Sequence, residues 1–175
     1  MRFLILFLPL LSVAATVPAD ISEVRPGPIT VSATTESISV RWPDESNRMW
    51  SAEFSLNSDA PLITSIGVGP TAVVRNAYPQ YWAMTGKRRG RAGFDEFFDY
   101  PGNHPDGTRR FEGAFRPLSA KAKSVGNRVE VLFEGLKLGI FSGGIAYTFY
   151  PASRLIYQEA VVSTQEPDTA YLSIR

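Results

Sequence analysis

From Ile29 onward, apolar side chains return at every second position instead of every third or fourth, and that habit rules out most folds open to a chain of this kind. Ile38, Val40 and Trp42 alternate with Ser37, Ser39 and Arg41; Trp50, Ala52, Phe54 and Leu56 alternate with Ser51, Glu53 and Ser55. Two such runs around the polar stretch 43–48 predict a hairpin with one apolar and one wet face. Further strand-like runs follow at 62–68, 71–75, 81–85, 109–115, 120–125, 128–134, 144–150, 155–162 and 170–174. Turn chemistry separates them at Asp59-Ala60-Pro61, Gly69-Pro70, Gly126-Asn127, Ser142-Gly143-Gly144, Pro151-Ala152-Ser153 and Glu166-Pro167-Asp168. The expectation is an all-β, mostly antiparallel sandwich with little helix. Its one helical turn is placed at Phe94–Tyr100, where Phe94, Phe97 and Phe98 share a face before Pro101.

Composition narrows the chemistry. The 175 residues suffice for a single cored domain, and 44% of them are hydrophobic. The absence of Cys excludes disulfide frameworks, thiolate metal sites and cysteine nucleophiles, and the single histidine, His104, excludes a multi-His metal centre within one copy. No metal and no cofactor are therefore expected. A net charge of +1 argues against nucleic acid as a partner.

The N-terminus has the layout of a secretory signal peptide over 1–15: Met1-Arg2, nine apolar residues from Phe3 to Leu11, and small residues before a cleavage point after Ala14 or Ala15. Nine residues interrupted by a proline are too few for a membrane helix, which needs about 20. The expected product is periplasmic or extracellular, free of the membrane once cleaved, with a lead-in over 16–28 and a sandwich over 29–175. Losing the leader removes Arg2 and no acid, so basic and acidic residues become equal in number and only local patches can attract a charged partner. The alternation still running at Ala170–Ile174 fits either an edge strand that ends the domain or a chain that continues.

The densest chemistry lies between Tyr78 and Arg116. Tyr78, Tyr81 and Trp82 precede the basic run Lys87-Arg88-Arg89-Gly90-Arg91, the acidic aromatic run Phe94–Tyr100, and the turn-forming Asn103-His104-Pro105-Asp106-Gly107. Between Arg89 and Arg109 the spacing is too long for a tight hairpin, and an excursion of about 20 residues is of the kind that carries function. Aromatic rings beside fixed hydrogen-bonding groups suit a pyranose, which offers C–H faces for stacking and hydroxyls for paired contacts. The carbohydrate-binding candidates are Tyr81, Trp82, Arg88, Arg89, His104 and Asp106, with the arginine forks available to a carboxylate or sulfate. The plainer reading places the aromatics in the core and the charges on a solvated turn. No catalytic residue is assigned. His104 has no partnering motif, and Glu134 and Glu159 would form an acid pair only if Glu159 faced inward; the expected arrangement instead turns Ile156, Ala160 and Val162 toward the core.

Residues 136–162, LKLGIFSGGIAYTFYPASRLIYQEAVV, run strand, turn, strand ending Tyr-Pro, and a long strand after Arg-Leu-Ile. The pattern resembles the paired long strands of the galactose-mutarotase-like supersandwich, found as the front domain of many secreted bacterial glycoside hydrolases and polysaccharide lyases. That resemblance implies a sugar-facing sheet and a catalytic domain downstream. The histidines of the mutarotases have no counterpart here, so no catalytic residue is carried over. The expected function is extracellular carbohydrate recognition or processing by a non-catalytic front domain. The rivals are an adhesion or assembly module acting through sheet edges, and a small carbohydrate-active enzyme using His104.

Overall fold

The computed structural model describes residues 17–87, 109–167 and 169–174, and among them every regular element is a strand. In chain order these are β1 Ala19–Glu23, β2 Thr30–Ala33, β3 Ser37–Pro43, β4 Met49–Ser55, β5 Ile63–Val68, β6 Thr71–Ala77, β7 Trp82–Lys87, β8 Arg109–Glu112, β9 Ala114–Val125, β10 Arg128–Leu138, β11 Phe141–Phe149, β12 Ile156–Ser163 and β13 Thr169–Ile174. They form a five-stranded meander β2-β3-β4-β5-β6, a five-stranded sheet β1-β9-β10-β11-β12, and a three-stranded sheet β13-β7-β8. All pairings are antiparallel except β1 with β9, so the lead-in contributes a strand of its own, with Ala19 opposite Ala120.

The alternation of β3 and β4 is the reason for the layering. Ile38, Val40, Trp42, Ala52 and Phe54 have no solvent exposure, while Ser37, Ser39, Arg41, Ser51, Glu53 and Ser55 point away from them. Their apolar face packs on that of the other five-stranded sheet, where Val131, Phe133, Ile145 and Phe149 are equally buried and Tyr147 nearly so. The seam is aromatic: Phe54 lies 4.8 Å from Tyr147 and 5.0 Å from Phe133, and Trp42 lies 4.9 Å from Phe149, between ring centroids. Tilted pairs at this spacing each add about 0.5–1.5 kcal/mol beyond their buried area.

One end of the sandwich is fastened by polar contacts. The Trp42 indole donates to the Ser153 carbonyl at 2.8 Å, and the Ala152 amide donates to the Pro43 carbonyl at 2.9 Å, joining the β3–β4 turn to the β11–β12 turn. Within the first of these turns, Asp44 is buried and accepts from the Ser46 and Arg48 amides, the Arg48 guanidinium and the Trp50 indole. Burial alone would raise its carboxyl, but the Arg48 amide, the indole and the remaining donors outweigh that and hold it far below 3.8.

Two sequence expectations change. Ser142-Gly143-Gly144 is not a turn; the β10–β11 reversal lies at Gly139-Ile140, and Gly143 and Gly144 sit inside β11. A side chain at Gly143 would run into the Val161 carbonyl and one at Gly144 into that of Phe133, so these glycines admit close backbone approach within the sheet. The run 109–115 is also not one strand. It breaks at Gly113, which passes the chain from the three-stranded sheet (β8) to the five-stranded one (β9) while its amide donates to the Tyr81 carbonyl at 2.7 Å.

Candidate functional site: an aromatic cleft beside the three-stranded sheet

Tyr81 and Trp82 are adjacent in sequence, so the pleat sends their side chains to opposite faces. Ala83 and Thr85 are buried on the inner face of β7, and their register partners there are Phe111 on β8 and Tyr171 on β13. Tyr81 belongs to this inner face: it is 7% exposed and its hydroxyl accepts from the Gln158 side-chain amide at 3.0 Å. Trp82 lies on the outer face, half-buried, with the Arg110 guanidinium 4.6 Å from its ring centroid. Of the six carbohydrate-binding candidates, these two are therefore kept apart. Arg88, Arg89, His104 and Asp106 lie outside the described residues, as does the run Phe94–Tyr100.

On the inner face the strands enclose a cleft of about 380 Å³. It is lined by Tyr81, Ala83 and Tyr171 from the three-stranded sheet and its approach, by Leu138 and Phe141 at the β10–β11 reversal, and by Ala160, Val162, Ser163 and Thr164 at the end of β12. Tyr171 is 60% exposed, yet it stands edge-on to Phe141 with ring centroids 5.4 Å apart. One side of the cleft is thus aromatic and aliphatic, and the strand end at Ser163 and Thr164 brings polar groups to the other, with the Ser163 side chain itself on the outer face of β12 beside Val161. The rung from Tyr171 through Thr85 continues to exposed Arg109, roughly 10 Å away at two inter-strand spacings.

Behind the cleft, Gln158 faces Tyr147 across the β11–β12 pair. Tyr147 is 2% exposed, and its hydroxyl has no hydrogen-bond partner among the described residues. Burial pushes its phenol well above the usual range, and the neighbouring Tyr81 adds to the shift. Gln158 thus ties the Tyr81 ring to β12 from behind through its hydroxyl.

Glu159 does not make the site acidic. It shares the outer face of β12 with exposed Tyr157 and Val161, whereas Ala160 and Val162 pack on the core; Glu134 is exposed on β10. Among the described residues no group of three His, Asp or Glu stands close enough to hold a metal ion, and no helix is long and apolar enough to cross a membrane. Of the candidates read from the sequence, Tyr81 lines this cleft; Phe141, Tyr171, Ser163 and Thr164, which line it too, and Gln158 behind it were not among them. The available clue was Tyr171, a large aromatic in a strand with no other ring, but nothing in the sequence ties it to Phe141.

No family model matches the chain, and no curated protein or solved structure matches it either.

Proposed function

We propose that this chain is the carbohydrate-recognising β-sandwich of an exported protein, acting as a non-catalytic front domain, and that it holds sugar in the cleft of Tyr81, Phe141 and Tyr171. The observation that carries the reading is Tyr171 itself. It is a mostly exposed ring held against Phe141, in a cleft that the polar strand end at Ser163 and Thr164 also lines. A pyranose matches that pairing of an apolar wall with hydroxyl partners. Export rests on the tripartite leader over 1–15, and the link to hydrolase or lyase systems rests on the strand pattern of 136–162.

The experiment is titration of the mature protein with neutral mono- and oligosaccharides. Tyr171→Ala should weaken binding at least about tenfold, while Trp82→Ala, on the opposite face, should leave it unchanged. The reverse outcome would move the sugar to the Trp82–Arg110 face and defeat the assignment.

A second reading, assembly with another protein, draws on β12. This strand ends its sheet, so its outer edge has no strand partner among the described residues, and Leu155 just before it and Val161 within it are 78% and 48% exposed. Concentration-dependent dimerisation abolished by Val161→Lys, together with no sugar binding, would favour it.

A further inference from the structure

Beside the aromatic cleft lies a second one of about 260 Å³, lined by Ile140, Ser142, Ser163, Thr164, Gln165 and Glu166. Ser163 and Thr164 line both. The chemistry of the two differs: the first offers Phe141 and Tyr171, the second two serines that face each other in register, Ser142 opposite Ser163, with an amide and a carboxylate beyond them. The backbone that carries the carboxylate is held in place, because the Glu166 amide donates to the Thr164 hydroxyl at 3.1 Å.

From this juxtaposition, and resting on the sugar reading of the first cleft, we infer that the site has two subsites and takes a neutral or amino-bearing oligosaccharide of at least two rings. One ring stacks on Tyr171, the linkage crosses the Ser163–Thr164 strand end, and the next ring places its hydroxyls among Ser142, Ser163 and Gln165. A single ring satisfies only the apolar cleft and leaves the second to water. Charge sets the class. The described lining of the second cleft contains one carboxylate, Glu166, and no cation, so a uronate there meets repulsion and an ammonium meets attraction.

The test is isothermal titration of the mature protein with glucose, galactose and mannose, a neutral disaccharide of each, the β-1,4-linked glucosamine disaccharide, and digalacturonate. For at least one sugar the disaccharide should bind about tenfold or more tighter than its monosaccharide. The double variant S142A/Q165A should bring that disaccharide down toward the monosaccharide and leave the monosaccharide unchanged. Glu166→Gln should remove any advantage of the amino disaccharide over the neutral one. Equal affinity for one and two rings would overturn the second subsite and leave the sugar reading standing. Digalacturonate binding tighter than every neutral disaccharide would overturn the charge assignment. No binding by any of these sugars would defeat the sugar reading and this inference together.

Discussion

Tyr147 holds the only buried side-chain polar atom without a hydrogen-bond partner among the described residues, in the middle of the aromatic seam. A buried hydroxyl that donates to nothing keeps its desolvation cost with no return. Tyr147→Phe should therefore stabilise the fold, by about 1 kcal/mol, read as a higher urea midpoint at unchanged slope. A lower midpoint would mean that the hydroxyl has a partner in solution. Asp44 is the opposite case, a buried carboxylate that accepts from the Ser46 and Arg48 amides, the Arg48 guanidinium and the Trp50 indole. Its folded-state pKa lies below the ordinary 3.8, so the stability it contributes is complete above that value and is lost as the pH falls from there toward the folded-state pKa. Asp44→Asn should lower the melting temperature by several degrees at neutral pH, and the gap from the parent should narrow by about pH 2.5. A gap that stays constant on acidification would show that the carboxylate charge is not what the turn uses.

At the scale of elements, the period-two pattern was legible almost strand by strand, because alternation is a local consequence of the pleat and of one dry face. The β3–β4 hairpin and the turns at Gly69-Pro70, Gly126-Asn127 and Pro151-Ala152 lie where turn residues interrupt it. The misread reversal at Ser142-Gly143-Gly144 has a physical cause: glycine serves a turn through its backbone freedom and a strand through its missing side chain, and sequence alone does not separate the two uses. Gly144→Val tests the distinction. In a strand it forces β11 away from the Phe133 carbonyl and should cost about 2 kcal/mol or more, seen by urea unfolding. In a turn position a small loss would be expected. The alternation that located Tyr81 and Trp82 also implied that they diverge, which a reading by composition overlooked.

Over the whole molecule, one aromatic seam joins the two five-stranded sheets, and Phe54 touches both Phe133 and Tyr147 across it. Phe54→Ala should cost about 3–5 kcal/mol, and far-UV circular dichroism and tryptophan fluorescence should still report one transition. Two separated transitions would show that the sheets fold independently. The sequence by itself determined the class of fold, since side-chain direction in a strand is settled by its neighbours in the chain, and likewise the aromatic and charged composition of the 78–116 region. Only the tertiary structure decided which strands share a sheet, that Gly113 passes the chain from one sheet to the other, and that Phe141 and Tyr171 meet in a cleft that Ser163 and Thr164 also line. Contacts between residues distant in sequence depend on how whole sheets stack, and no local pattern along the chain records that.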